Sequence, residues 1–366
     1  MRPTYTPEDF SHSPLVIFFE VTRACDLMCL HCRADAQKCR DPLELTTDQA
    51  KLLFDQLSAF PKPPLVVLTG GDPIKRPDVF ELITYARSLG LSIAMTPSAT
   101  PLVTKDAISR LKSAGLHRLA VSLDGFDAAT HDGFRRVRGS YDRTLEIIAD
   151  ARAVDLEVQI NTTVSLHNFR QLDLIADLLA DMDITLWSIF FLIPTGRALA
   201  SQRITPELYE AAFATIWRQS KKQNYAIKTT EAPHYRRFAI QKATEEKGTG
   251  IAPPPVGRRS PFVGTNDGKG VMFISHRGEI YPSGFLPIDC GKFPADSVVR
   301  VYQESPLFQS LRDPDALGGK CGQCEFRHLC GGSRSRSYAL TGDPLAAEPD
   351  CVYLPKLGRP VGAALS

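Results

Sequence analysis

Apolar, β-rich runs recur along the chain at Leu15 to Val21, Leu65 to Leu68, Leu91 to Met95, Leu119 to Leu123, Glu157 to Val164 and Leu186 to Ile193. Between them, apolar positions return every three or four residues, the spacing that keeps one face of a helix dry. From Thr46 to Phe60, residues Ala50, Leu53, Phe54 and Leu57 share a face, and Thr46 with Gln49 fits a capping box. Pro77 opens the next helical pattern and Gly90 closes it. Thr104 can cap a third, which ends at Gly115, and Ser140 a fourth. The fifth runs from about Asn168 with Leu172, Ile175 and Leu179 inward. Thr205 before Pro206 starts a sixth, with Phe213, Ile216 and Trp217 apolar. Six such units at roughly 30-residue spacing predict an α/β fold with a parallel sheet and helical crossovers. Six are too few for a closed eight-fold barrel, so a partial (β/α)6 barrel is expected, with chemistry at the C-terminal strand ends.

Beyond the sixth helix the texture changes. Residues 221–270 are rich in charge, Gly and Pro, including Pro253, Pro254 and Pro255, and read as a linker or long functional loop. A short β-like stretch follows, Val271 to Ile274 and Glu279 to Tyr281, with a turn at Arg277–Gly278. The expected organisation is an N-terminal segment (1–13), a barrel core (14–220), the linker (221–270) and a loop-rich extension (271–366).

Charge narrows the function classes. Lys and Arg number 43 against 41 Asp and Glu, too even a balance for a general nucleic-acid surface. The longest apolar run, near Leu186 to Pro194, is about half of what a bilayer span needs, so no membrane partner is expected. The start MRPTYTPEDF carries no secretion signal. Nine cysteines, an odd number, then suit metal or redox chemistry in a reducing cytoplasm better than a disulfide framework.

The cysteines fall in two groups. Cys25, Cys29, Cys32 and Cys39 precede a long cysteine-free stretch, and Cys290, Cys321, Cys324, Cys330 and Cys351 follow it. Cys25-x3-Cys29-x2-Cys32 begins just after the first strand. Three thiolates on one loop can hold three irons of a [4Fe–4S] cluster and leave the fourth open; a zinc knuckle is the competing reading.

The flanks of this triplet, Phe18-Phe19-Glu20-Val21-Thr22-Arg23 and Cys32-Arg33, resemble the signature of the radical S-adenosylmethionine (SAM) enzymes. Thr69-Gly70-Gly71-Asp72-Pro73 resembles the family's GGEP motif, which contacts the SAM amino group, with Asp72 in place of Glu. Ser122-Leu123-Asp124-Gly125 is similar to the segment near the SAM ribose and carboxylate. Thr96-Pro97-Ser98, Asn161-Thr162-Thr163 and Ile193-Pro194-Thr195-Gly196 stand at the other strand ends, and the resemblance covers about residues 15–217. Singly each motif reads as a turn or a local hydrogen bond; jointly, at consecutive strand ends, they favour a ligand site. The resemblance implies Cys25, Cys29 and Cys32 as cluster ligands, and Gly70, Gly71, Asp72, Pro73, Ser122, Asp124, Asn161 and Ile193 as cofactor-binding residues. It also implies that SAM chelates the open iron, and that an electron donor such as ferredoxin or flavodoxin reduces the cluster. Cleavage of the sulfonium then yields methionine and a 5′-deoxyadenosyl radical that abstracts a substrate hydrogen. Cys39 lies outside the spacing. His31 could tune the cluster through a sulfur or simply pack.

Cys321-x2-Cys324-x5-Cys330 with Cys351 resembles the SPASM/twitch extension, which holds auxiliary [4Fe–4S] clusters. The fuller pattern has further cysteines where this chain has Arg334 and Ser283. One auxiliary cluster on Cys321, Cys324, Cys330 and Cys351 is therefore expected, with Cys290 left over and a four-cysteine zinc site as the alternative. A complete thiolate set suits electron relay better than substrate binding.

The motif combination resembles most closely the branch of haem b synthase, which oxidatively decarboxylates propionates, and of haem d1 maturation. A peptide-modifying maturase of the pyrroloquinoline quinone or mycofactocin type is the alternative, weakened by the lack of a leader-peptide domain before Cys25. A non-catalytic iron–sulfur or zinc protein is the other class. Tetrapyrrole carboxylates would want cations; the candidates are Arg135, Arg136 and Arg138, and His234, Arg236 and Arg237.

Overall fold

The six expected strands form and lie parallel in one curled sheet. The computed structural model describes residues 5–248 and 264–356. Strands β1 (Val16–Thr22), β2 (Leu65–Gly70), β3 (Ser92–Met95), β4 (Arg118–Ser122), β5 (Glu157–Val164), β6 (Leu186–Phe191) and β7 (Ala226–Thr230) stand side by side in chain order. Helices α1 (Thr47–Ser58), α2 (Val79–Ser88), α3 (Lys105–Ser113), α4 (Ala128–Arg135), α5 (Ser140–Ala153), α6 (Leu172–Ala180) and α7 (Pro206–Lys222) make the crossovers. Strand alternation explains the curl's two faces. In β5, Val158, Ile160, Thr162 and Val164 are buried, whereas Glu157, Gln159, Asn161 and Thr163 are half-open. The helix-covered face feeds one large apolar core containing Phe19, Phe54, Trp187 and Phe213. The other face is the polar concavity of a half-barrel.

Local chemistry starts the helices largely where expected. Thr46 and Gln49 form the capping box of α1. Thr104 and Thr205 accept from the third backbone N–H beyond them in α3 and α7. Ser140 differs: Gly139 is the cap of α5, at φ 83°, and Ser140 is the first helical residue. Its hydroxyl lies 3.2 Å from His131 Nε2 instead.

The stretch expected as a linker contains regular structure among its described residues. Ala226–Thr230 adds β7 to the open edge of β6, and α8 (Tyr235–Gly248) follows. Ala-Ile-Lys-Thr-Thr is too polar to read as a strand, but the unpaired edge of β6 supplies its hydrogen-bond partners. Pro253, Pro254 and Pro255 lie outside the described residues.

On the other edge the sheet continues into the extension. After β8 (Asn266–Asp267), β9 (Gly270–Ile274) runs parallel to β1, and β10 (Ile280–Tyr281) returns antiparallel. Helices α9 (Val298–Glu304), α10 (Pro306–Arg312), α11 (Gly319–Gly322) and α12 (Arg334–Thr341) complete the described chain. Tyr302 and Phe308 belong to the same apolar core as the barrel residues. Among the described residues no helix is long and apolar enough to cross a membrane.

Candidate active site

The first three cysteines occupy the loop leaving β1. Cys25 and Cys29 are buried, Cys32 is half-buried, and all belong to one apolar cluster with Leu27, Ala36 and Val137. Neighbouring strand ends clamp this loop. Gly71 N–H donates to Thr22 O (2.8 Å) and Asp72 N–H to Ala24 O (2.7 Å). A Cβ on Gly71 would stand 2.4 Å from Ala24 O, so the close approach requires glycine. From beyond β6, Arg197 N–H donates to Cys32 O (3.0 Å) and its guanidinium to Cys29 O (3.1 Å) and Ala36 O (3.4 Å). A Cβ on Gly196 would likewise meet Cys32 O at 2.4 Å. Arg197 was not singled out in the sequence; the one signal for it was its place next to the quoted strand-end motif.

The sulfurs have specific neighbours. Cys25 Sγ lies 3.2 Å from Ser98 Oγ, and the backbone N–H groups of Leu27 and Ala36 point at Cys25 and Cys32 Sγ (both 3.4 Å). The Arg135 guanidinium reaches Cys29 Sγ at 3.7 Å and donates through Nε to Asp124 at 2.7 Å. Burial raises the Cys25 and Cys29 thiol pKa values, the latter against the pull of Arg135. Such thiols keep their protons until a cation replaces them.

The other quoted motif residues border the same end of the half-barrel. The Asp72 carboxylate is consumed within the protein: it accepts from Thr100 Oγ1 (2.7 Å), Ser98 N–H (3.2 Å) and Ile74 N–H (3.4 Å). Burial raises its pKa despite these bonds. Pro73 is buried behind it, at the start of a short turn. Gly70 ends β2. Ser122 and Asn161, both half-buried, stand at one register level with the buried Ser188. Asn161 Oδ1 accepts from Gln159 Nε2 (2.8 Å). Asp124 is fully buried; burial opposes its charge, but Arg135 holds it below the usual carboxylate range. Ile193 is buried, next to the contact of Leu192 with Phe134. His31 stacks on Phe134 (4.0 Å), which stacks on His167 (5.1 Å). Burial pushes the His31 imidazole down to about 3, so it is neutral.

The second set assembles in the extension. Cys321, Cys324, Cys330 and Cys351 line one cavity, together with His234, Arg237, Lys320, Phe326 and Tyr353. Glu348 N–H points at Cys321 Sγ (3.2 Å) and Gly332 N–H at Cys330 Sγ (3.4 Å). Burial pushes the Cys330 thiol up to about 12 and raises Cys324 and Cys351. Arg334 and Ser283, at the two departures from the fuller pattern, have structural work. Arg334 is buried and donates to Pro344 O (3.0 Å) and Ala346 O (2.8 Å), bracing the chain that leads to Cys351. Ser283 Oγ accepts from Phe285 N–H (3.2 Å). Arg203 on the barrel side grips Asp350 with two bonds of 2.9 Å, fixing the residue before Cys351.

The cations proposed for carboxylates do not share one place. Arg135 stands at the first site, whereas Arg136 and Arg138 are exposed. His234 and Arg237 line the second cavity. Arg236 spends its guanidinium on Leu329 O (2.9 Å) and Thr265 O (2.6 Å). Cys39 is exposed and Cys290 half-buried, both outside the two sets. Among the described residues no three His, Cys, Asp or Glu side chains converge as they would around one metal ion. The second set surrounds a cavity instead. Buried thiols receiving backbone N–H groups fit the sulfur-rich surroundings of an iron–sulfur cluster.

The family model of the Radical SAM superfamily matches residues 19–179. The AdoMet-dependent heme synthase of Methanosarcina barkeri is 38% identical, covering 94% of this chain and 98% of its own length. That of Nitratidesulfovibrio vulgaris is 40% identical, covering 97% and 96%. Among solved structures, Streptococcus suis SuiB bound to precursor peptide SuiA superposes with a TM-score of 0.70 at 18% identity, over 94% of this chain and 78% of that one, which shows a shared fold.

Proposed function

Because the chain belongs to the radical SAM superfamily, we propose that this radical SAM enzyme makes haem or a close relative, by oxidative decarboxylation of tetrapyrrole propionates. The observation that carries the reading is near-full-length identity of 38–40% to heme synthases. The same identities favour a tetrapyrrole over a peptide substrate.

In this reading Cys25, Cys29 and Cys32 would hold three irons of a [4Fe–4S] cluster and leave the fourth open to SAM. When bound, the cluster supplies the single electron that turns SAM into a hydrogen abstractor. The chain's own residues position and protect. Gly71, Gly196 and Arg197 hold the cysteine loop against the strand ends, so the irons would have a rigid seat. Asp72 acts through shape, fastening Ser98 and Thr100 beside Cys25. Ser122 and Asn161 offer polar groups to SAM from the half-open face. Arg135 joins Asp124 to the Cys29 sulfur and compensates negative charge there. Cys321, Cys324, Cys330 and Cys351 would hold an auxiliary [4Fe–4S] cluster, which would supply a one-electron redox group. Residues 14–220 and 271–366 are the two working units of this reading, with His234 and Arg237 from the stretch between them completing the second site. The reductant is a small redox protein such as ferredoxin or flavodoxin, and a reducing cytoplasm suits both clusters.

The test is anaerobic reconstitution with iron and sulfide, followed by reduction and incubation with SAM and Fe-coproporphyrin III, two of whose propionates stand where haem has vinyl groups. Mass spectrometry should find haem and 5′-deoxyadenosine. 5′-Deoxyadenosine without any loss of CO2 from the porphyrin would overturn the substrate; neither product from an iron-loaded protein would overturn the reaction.

A further inference from the structure

His234 was a candidate partner for substrate carboxylates, and its surroundings argue for another role. The ring is buried, packed beside Tyr209 (5.1 Å) and edge-on to Phe213 (4.8 Å). Neither Nδ1 nor Nε2 has a hydrogen-bond partner among the described residues. A neutral imidazole nevertheless carries one N–H that needs an acceptor. The ring lines the cavity that the four cysteines of the second set surround. Glu348, the carboxylate that also lines it, is already engaged by Ser333 N–H (2.6 Å), Asp350 N–H (3.0 Å) and Arg336 (3.1 Å). The four cysteine sulfurs, and the sulfurs of a cluster they would hold, place further acceptors on that cavity wall.

We propose that the His234 N–H donates a hydrogen bond to a sulfur of the auxiliary cluster and raises that cluster's reduction potential. The proposal rests on the reading that Cys321, Cys324, Cys330 and Cys351 hold a [4Fe–4S] cluster. A donor to sulfur stabilises the reduced, more negative state more than the oxidised one. Lys320, on the same cavity wall, acts in the same direction through its charge, whereas the charge of Arg237 is paired with Glu210. His234 acts here on the cluster's potential and not on substrate or SAM.

The experiment uses the full chain with Cys25, Cys29 and Cys32 changed to Ala, so that the auxiliary site alone titrates. After reconstitution, iron and sulfide are counted and the midpoint potential is read by EPR-monitored titration. His234→Leu should keep the full iron complement and shift the midpoint to more negative potential. His234→Asn and His234→Gln place an amide near the Nδ1 and Nε2 positions respectively. One of them should return the midpoint towards the parent value and the other should not. An unshifted midpoint in H234L overturns the proposal, as does iron loss in H234L, which would make His234 a ligand. Should H234L not fold, parent-like midpoints in both amide variants overturn it. A parent protein with no iron–sulfur signal at this site overturns the cluster reading itself.

Discussion

The two cysteine sites differ in how they are built. At the first, Cys25, Cys29 and Cys32 share one loop, and the protein's task is to hold that loop against the ends of β2 and β6. At the second, Cys321 to Cys351 span a much longer stretch; His234 and Arg237 come from elsewhere in the chain to line the cavity, and Arg334 and Arg203 brace the segment that leads to Cys351. The first site borders the half-open polar face of the barrel, whereas the second is ringed by its own side chains. A three-thiol site beside an open concavity can admit a small molecule. A four-thiol site lined by His234, Arg237, Phe326 and Tyr353 is better suited to passing electrons.

The largest way to break this comparison is at the first site. Cys29→Ala should abolish SAM cleavage, with 5′-deoxyadenosine below detection by mass spectrometry. Residual cleavage with iron retained at the loop would remove the distinction between the sites. Next, Cys324→Ser should strip iron from the auxiliary site and lower product by at least about tenfold while some SAM cleavage persists, as expected when one of two redox groups is lost. Complete loss of cleavage in folded protein would show that the roles are not separable.

A third test concerns charge. Arg135→Leu leaves the fully buried Asp124 without its cation. Breaking a buried pair in this way costs about 3–5 kcal/mol, readable by urea denaturation of the metal-free protein. An unchanged midpoint would mean that Asp124 does not depend on Arg135.

The smallest effect lies where the two regions meet. Asp41, after the first cysteine loop, accepts from Leu43 N–H (2.9 Å) and pairs with Arg277 and His276 of the β9–β10 turn. The Leu43 N–H, then Arg277 and His276, hold its carboxyl down to about 2. A depressed carboxylate pKa adds stability above the ordinary value, and that gain is lost as pH falls through the lowered one. Asp41→Asn should therefore lower Tm slightly at neutral pH, with the difference from the parent closing as pH falls towards 2. A difference that grows in acid would contradict this sign.

Much of the barrel was legible because its signals are local. Apolar, β-rich strand runs, Thr46 with Gln49, and Thr104 and Thr205 as caps act within a few residues of themselves. β7 was not legible, because Ala226–Thr230 becomes a strand only through the edge of β6. The grouping of the cysteines was visible in their spacing. The cations were not: Arg135 and His234 looked alike as free positive charges, yet Arg135 is tied to Asp124 and Cys29, whereas His234 is neutral and buried beside the other cysteine set.

The sequence by itself thus determined the parallel α/β plan, the family motifs and the division of cysteines into two sets, all written in short-range spacing. Only the tertiary structure decided that β9 extends the barrel sheet, that Arg197 pins the first loop, and that His234 faces the second cavity. Those facts depend on contacts between residues distant in the chain, and burial and charge are set by such contacts rather than by residue type.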